Sequence, residues 1–225
     1  PIDLAITDAR ANLLDSLRFA SHPKAHGTNI VFGGSVIAGT RAKKERSKSY
    51  NAFSSINYPD IAVIQDRRIV FYIDDKNHIT DRIRFYHKLD DRVFLLKLIP
   101  GSNGAIIDSL ADTTDALIIE SFGVGGLPDY GDDEFYQAIK RFVEKGKIVI
   151  MATQVTHEGS DMSVYQVGKM IKREFSLLES YDMTLEATVA KTMWALQESS
   201  GPDGFREKFY KKINHDIMFS PEQNH

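Results

Sequence analysis

The sequence predicts an α/β protein with two domains, the second built on a parallel sheet. From Val93 onward, buried-strand runs alternate with amphipathic helical segments, the order of a βαβαβ unit. Before that point, short β-branched runs follow one another across glycine and charged turns. Between the two parts, residues 77–91 are charged with few apolar side chains, which is typical of a linker. We therefore expect domains at residues 1–76 and 92–225.

A helix opens the first domain. Apolar side chains recur at helical spacing from Ala9 to Ala20, with Leu13 and Leu17 between them, and Thr7 stands where an N-cap residue belongs. Asp8 follows in the first turn, where a carboxylate complements the helix dipole. Because Asp8 and a second polar residue, the asparagine at position 12, lie four residues apart, we expect them to share one face.

A hairpin and a basic loop come next. Gly33-Gly34 separates two β-branched runs, which is typical of a hairpin turn. Lys44 then follows in a loop rich in arginine and lysine, just past the end of the second run. A lysine in such a place can transfer protons if its surroundings lower its pKa, and the alternative is a solvated basic loop. Two more strands are predicted, at residues 61–64 and 69–73.

The second domain is predicted to hold three parallel strands. Its glycine-rich loop, residues 123–126, follows the second strand, and loops at the carboxyl ends of parallel strands are where ligands bind. Dinucleotide binding is not indicated, because the loop ends in Leu127-Pro128 and opens no helix. The predicted strands are 93–99, 116–120 and 148–152, and the predicted helices are 105–110, 134–145, 164–175, 184–197 and 205–214.

Composition restricts the possible functions. The 28 basic and 31 acidic residues give a net charge of −3, so no overall field favours nucleic acid or an anionic membrane. The chain has no cysteine, which excludes disulfides and a thiol nucleophile and suits a reducing compartment. Its seven histidines show no metal-ligand spacing, and no apolar run approaches the roughly 18 residues of a membrane span. Small-molecule chemistry fits this composition best.

Five sequence blocks resemble the bacterial-type L-asparaginases, most of all the cytoplasmic type I branch. They occur in the family's order along nearly the whole chain. The resemblance implies that residues 1–76 are the remainder of a large catalytic α/β domain and that residues 92–225 are the smaller C-terminal α/β domain. The chain would thus match the C-terminal two-thirds of such a protein. The blocks are DARANLL (8–14), GTRAKK (39–44), YNAFSS (50–55), SFGVGGLP (121–128) and DMTLEATVAKTMWAL (182–196).

The resemblance also implies roles for three residues. Lys44 matches the catalytic lysine of the family's Thr-Asp-Lys triad, and Asp8 matches a residue near the substrate loop. For Asp8 the alternative is that it only complements the helix dipole. Gly126 belongs to a loop that reaches toward the substrate site of a neighbouring subunit, where the family commonly carries Asn. That departure removes a side-chain amide, so either a backbone group replaces it or this substrate contact is lost.

Two family segments do not occur in this sequence: the glycine-rich segment with the nucleophilic threonine, and the Gly-Thr-Asp-Thr segment with the triad aspartate. We therefore expect both in an N-terminal segment of the same polypeptide. The implied reaction is hydrolysis of L-asparagine to L-aspartate and ammonia, with L-glutamine as the other candidate substrate, without a cofactor, in a cytoplasmic homodimer or homotetramer. Two alternatives are the amidase subunit of a tRNA-dependent amidotransferase and a non-catalytic binding homologue.

Overall fold

The computed structural model describes residues 2–4, 6–73, 84–128, 133–164 and 166–219. The chain forms two compact units. Unit 1 comprises Pro1–Phe85 and Ile213–Asp216, and unit 2 comprises Tyr86–Lys212 and Ile217–His225. The expected division at residues 1–76, 77–91 and 92–225 stays a prediction, because its first limit falls among residues 74–83, outside the described residues.

In its described residues, unit 1 combines one helix with an antiparallel sheet in the order β1-β2-β5-β6 and a separate hairpin, β3-β4. Both turns of the larger sheet have positive φ at their two central residues, Gly33-Gly34 and Asp66-Arg67, the backbone that tight hairpins require. The predicted hairpin at Gly33-Gly34 is thereby confirmed. The elements are α1 (Ala9–Ala20), β1 (Asn29–Phe32), β2 (Ser35–Ala38), β3 (Ala42–Lys44), β4 (Phe53–Ser55), β5 (Ala62–Gln65) and β6 (Arg68–Phe71).

One expectation for unit 1 was wrong, and a second feature of this unit had not been predicted. Lys44 is the last residue of strand β3, paired with Phe53, and does not lie in a loop. The apolar stripe of α1 is largely exposed: Leu13 and Leu17 are 51% and 60% accessible, and Phe19 is the buried residue of the helix. Helical spacing identified the helix correctly, but it did not identify the face that packs against the sheet.

Unit 2 is built on a fully parallel sheet in the order β10-β9-β8-β7. Its strands follow one another in sequence across the sheet, as the predicted βαβαβ unit requires, and this confirms the α/β fold class. The elements are β7 (Val93–Lys97), α2 (Ala105–Leu110), β8 (Ala116–Ser121), α3 (Glu134–Glu144), β9 (Ile148–Thr153), a 3-10 turn (Met162–Val164), α4 (Gln166–Glu174), β10 (Leu178–Glu179), α5 (Leu185–Glu198) and α6 (Gly201–Tyr210).

Helices cover both faces of this sheet. Alternate strand residues such as Leu117 and Val149 face a core that includes Ile107 of α2, Phe142 of α3 and, from α4, the partly buried Ile171. The intervening residues face a second core with Ala195 of α5 and Phe205 and Phe209 of α6. β8 is therefore buried along its whole length, which explains its uninterrupted apolar run from Ala116 to Ile119.

Three expectations for unit 2 were wrong in detail. β7 is an edge strand whose Phe94 and Leu95 are more than one third exposed, although its run of apolar residues had indicated burial on both faces. β10 had not been expected, because two residues are too few for any periodicity. The last helix, predicted at residues 205–214, is α6 at Gly201–Tyr210, and it begins earlier because Gly201 and Pro202 belong to its first turn, where proline is favoured.

Candidate functional site

Lys44 lies on the short β3-β4 hairpin of unit 1. Its side chain is exposed, and its ammonium nitrogen lies 5.7 Å from the ring centroid of Phe53, the residue that it pairs with in the sheet. Within the described part of the chain, no carboxylate forms an ion pair with it; the neighbouring Glu45 accepts instead a 2.6 Å hydrogen bond from Ser54. The Lys44 ammonium is therefore carried by a regular β-strand and is accessible to a carboxylate.

The backbone just before β3 is held by a segment that is distant in the sequence. The fully buried guanidinium of Arg41 donates a 2.5 Å hydrogen bond to the carbonyl of His215 and lies over the ring of Tyr58, and the Thr40 hydroxyl donates to the carbonyl of Asn214. Tyr58 also stacks on the His215 ring, with centroids 4.8 Å apart. These contacts hold the residues just before β3, the strand that carries Lys44, in one position.

The backbone conformation of residues 214–215 also indicates that surrounding contacts hold this segment in place. Asn214 and His215 both adopt left-handed φ angles, 47° and 63°. Such conformations cost about 1–3 kcal/mol per residue outside glycine and persist only where surrounding contacts enforce them. The Asn214 side chain supplies one such contact, a 2.9 Å hydrogen bond to the carbonyl of Thr28. Sequence reasoning missed this anchor, because Arg41 resembles every other cation of a basic loop.

Asp8 stands at the beginning of α1. Its carboxylate accepts a 3.0 Å hydrogen bond from the Asn12 amide, which confirms that the two share a face, and the side-chain oxygen Oδ1 of Asn12 accepts from the backbone N–H of Gly33. The Asp8 side chain makes no capping hydrogen bond, whereas Thr7 accepts one from Ala9. Asp8 thus fixes the helix start to the β1-β2 turn through Asn12. Among the described residues, Asp8 and Lys44 form no hydrogen bond or ion pair with each other.

Gly126 lies in unit 2, in a tight loop at the carboxyl end of β8. The loop is closed by two backbone hydrogen bonds between Phe122 and Gly126, of 3.0 and 2.7 Å. Gly125 needs to be glycine, because its φ is 140° and a Cβ there would lie 2.8 Å from Cγ of Met162. A Cβ at Gly126 would meet the carbonyl of Phe122 at 3.2 Å, so a side chain there requires a small shift of the loop.

Two models of known protein families match this chain. One described as the glutaminase/asparaginase C-terminal domain matches residues 92–209, more than half of the chain, and one described as asparaginase, N-terminal, matches residues 1–77. The chain belongs to the glutaminase/asparaginase family. The resemblance that the five sequence blocks indicated is therefore confirmed at the level of the family.

Individual family members agree with this assignment. An L-asparaginase from Thermococcus kodakarensis is 32% identical over 221 residues, 98% of this chain and 66% of that protein. The solved structure of the thermostable L-asparaginase from the same organism superimposes with a TM-score of 0.90 at 31% identity. A subunit of the glutamyl-tRNA(Gln) amidotransferase from Metallosphaera sedula is 30% identical over 88% of this chain and 46% of its own length. The chain thus spans between about half and two thirds of these relatives.

A more distant structure shows the fold alone. L-asparaginase I from Vibrio cholerae superimposes with a TM-score of 0.83 over 97% of this chain at 23% identity. The type I branch, the match to the C-terminal two-thirds of an asparaginase, and the roles of Lys44, Asp8 and Gly126 stay predictions. None of the helices in the described part of the chain is long and apolar enough to cross a membrane.

Proposed function

We propose that this chain is part of a cytoplasmic, type I-like L-asparaginase that hydrolyses L-asparagine to L-aspartate and ammonia. The observation that carries the proposal is the likeness to the Thermococcus L-asparaginase, which extends over 98% of the chain in both sequence and structure. The five sequence blocks and the absence of cysteine agree with it. L-glutamine is the other candidate substrate, and the reaction needs no cofactor.

In this proposal Lys44 handles the proton of a threonine nucleophile. The threonine and the triad aspartate come from an N-terminal segment of the same polypeptide. The threonine oxygen attacks the side-chain amide carbon, ammonia leaves with the transferred proton, and water releases aspartate from the acyl-enzyme. The anchor formed by Arg41 and His215 supports this role, because proton transfer needs a donor held in a fixed place. The exposed ammonium of Lys44 is accessible to the triad aspartate.

The other two predicted residues assist substrate binding. In this proposal Asp8, which is held through Asn12 to the β1-β2 turn, contributes to substrate binding. Gly126 approaches the substrate of a neighbouring subunit through its backbone, which makes a homodimer or homotetramer the working unit. Light scattering on the complete protein is expected to show at least a dimer, and an active monomer would contradict this assembly.

Replacing Lys44 tests the mechanism. In the complete polypeptide, Lys44→Met should lower kcat by about 10²- to 10⁴-fold, the usual contribution of a positioned acid-base group. KM should change less, because the lysine acts on the nucleophile and not on the charged groups of the amino acid. Ammonia release from L-asparagine measures both constants.

Lys43→Met is the matched control, since Lys43 is the preceding residue on the same strand. Its kcat should stay close to that of the unchanged enzyme, and both variants must retain the melting temperature so that a folding defect is not taken for a chemical one. Normal turnover of Lys44→Met would refute the proposed role.

A second candidate function is the amidase subunit of a tRNA-dependent amidotransferase. The similarity to the Metallosphaera amidotransferase protein over 88% of this chain favours it. Turnover of free L-asparagine by the complete polypeptide alone supports the asparaginase, whereas ammonia release that needs a second protein and a glutamate-charged tRNA supports the amidotransferase. No turnover under either condition would favour a non-catalytic binding homologue.

A further inference from the structure

Unit 2 contains a buried carboxylate for which the proposed reaction has no use. Glu179 ends strand β10 and is completely inaccessible to solvent. Oε1 accepts a 2.8 Å hydrogen bond from the backbone N–H of Met162, and Oε2 accepts one from the ammonium of Lys172 on α4. The same ammonium donates to the hydroxyl of Tyr181 at 2.9 Å. Both carboxylate oxygens are therefore engaged.

The Met162 end of this network leads directly to the glycine loop. The residue before it, Asp161, donates its backbone N–H to the carbonyl of Val124 inside the loop, at 2.8 Å. The Met162 side chain lies against Gly125, so closely that no Cβ fits between them. Two neighbouring residues thus hold the loop, one by a hydrogen bond and one by packing, and the Glu179 carboxylate holds the second of them.

The free energy of folding does not explain why a charged side chain, and not an apolar one, occupies position 179. Burying a carboxylate and an ammonium costs free energy that their attraction barely repays, and apolar residues of the same volume often stabilise such a site equally well. What an apolar side chain does not provide is an acceptor for the Met162 N–H. The distinctive contribution of Glu179 is therefore geometric.

We propose that Glu179 is a positioning residue that fixes residues 123–126 through Met162. The inference rests on the proposed function, in which the backbone of this loop contacts the substrate. Loss of the acceptor lets the loop sample other conformations, so substrate binding weakens while the chemistry at Lys44 is unchanged. KM should therefore rise and kcat should not fall.

Two double variants of the complete polypeptide differ only in the acceptor. Lys172→Met/Glu179→Leu removes the ion pair and the acceptor, whereas Lys172→Met/Glu179→Gln removes the ion pair and keeps an amide oxygen for Met162. We expect KM for L-asparagine to rise at least about tenfold in the leucine variant, the worth of one hydrogen bond to a charged acceptor. The glutamine variant should remain within about threefold of the unchanged enzyme, as a neutral hydrogen bond is retained.

Amide hydrogen exchange provides a readout that does not depend on activity. The N–H groups of Gly125 and Gly126 both donate to the carbonyl of Phe122, and they should exchange at least about tenfold faster in the leucine variant only. Equal exchange in the two variants, or faster exchange with an unchanged KM, would overturn the proposal. If the leucine variant does not fold, Lys172→Met/Glu179→Met supplies another apolar replacement with a more adaptable side chain.

The two proposals fail separately. A complete polypeptide without asparaginase turnover would refute the proposed function, and the exchange rates at Gly125 and Gly126 would still decide whether Glu179 holds the loop. Normal turnover together with equal exchange rates in both variants would leave the function standing and refute the role of Glu179.

Discussion

Replacing Asp182 with asparagine should loosen the end of unit 2. The Asp182 carboxylate, 2% exposed, accepts hydrogen bonds from the backbone N–H of Met218 at both oxygens, 3.0 and 3.1 Å away, and from that of Phe219 at 3.1 Å. These bonds attach the segment after Ile217 to the residues that precede α5. The substitution keeps the side-chain shape and removes the charge.

The expected loss follows from the geometry. The carbonyl oxygen of asparagine can keep the bonds at the Oδ1 position, but its NH₂ group would face the N–H of Met218, donor against donor. Two hydrogen bonds to a charged acceptor, each contributing about 1.5–3 kcal/mol, become neutral bonds of about 1 kcal/mol. We expect the local free energy of opening to fall by about 2 kcal/mol, so the amides of Met218 and Phe219 should exchange roughly 30-fold faster.

Exchange at these two amides is measured on the 225-residue chain under native conditions. Asp112→Asn is the matched control, because the Asp112 side chain is 95% exposed and undergoes the same chemical change in the same unit. The control should leave the exchange rates at Met218 and Phe219 unchanged. Equal rates in the unchanged chain and in Asp182→Asn would show that the carboxylate does not hold this segment.

Two further predictions concern stability. Thr184 caps α5 by accepting a 3.1 Å hydrogen bond from the N–H of Ala187, so Thr184→Ala should cost about 1 kcal/mol in urea unfolding and Thr184→Ser should restore most of it. Burial, with the charge of Glu179 as a smaller cause, raises the pKa of Tyr181 to about 12 from 10.0. As the pH rises, the unfolded chain loses the Tyr181 hydroxyl proton at a lower pH than the folded chain does. The contribution of this group to the free energy of unfolding is therefore fully present below pH 10 and is lost between pH 10 and about 12. Tyr181→Phe should make that decline shallower in unfolding curves measured across this pH range, and an unchanged slope would count against it.

The sequence predicted the parallel sheet of unit 2 because its signals are local. β8 and β9 are buried on both faces, so each is one apolar run, and α3 has its apolar side chains on a single face, with Phe135, Ile139 and Phe142 buried. Helix α5, Leu185–Glu198, likewise lies within one residue of the predicted range 184–197. In each case, the residues that determine the element lie within the element itself.

The parts that were missed depend on distant partners. β3 is a strand because it pairs with β4 across an exposed connection, and nothing in its sequence, Ala42 to Lys44, separates it from a basic loop. Glu179 resembles any surface glutamate until α4 brings Lys172 against it. The Leu13–Leu17 stripe shows that periodicity identifies a helix, whereas the rest of the fold decides which face is buried.

The anchor at Ile213–Asp216 has a consequence for synthesis on the ribosome. Arg41, Thr40 and Tyr58 find their partners in a segment that is translated more than one hundred residues later, and at about 5–20 residues per second that interval is on the order of ten seconds. During that time the guanidinium of Arg41 lacks the His215 carbonyl, its acceptor in the finished protein. Unit 1 therefore completes its folding only after nearly all of unit 2 has been made. A fragment ending at Phe85 should lack the contacts of Arg41, Thr40 and Tyr58 with residues 214–215, however long it is incubated.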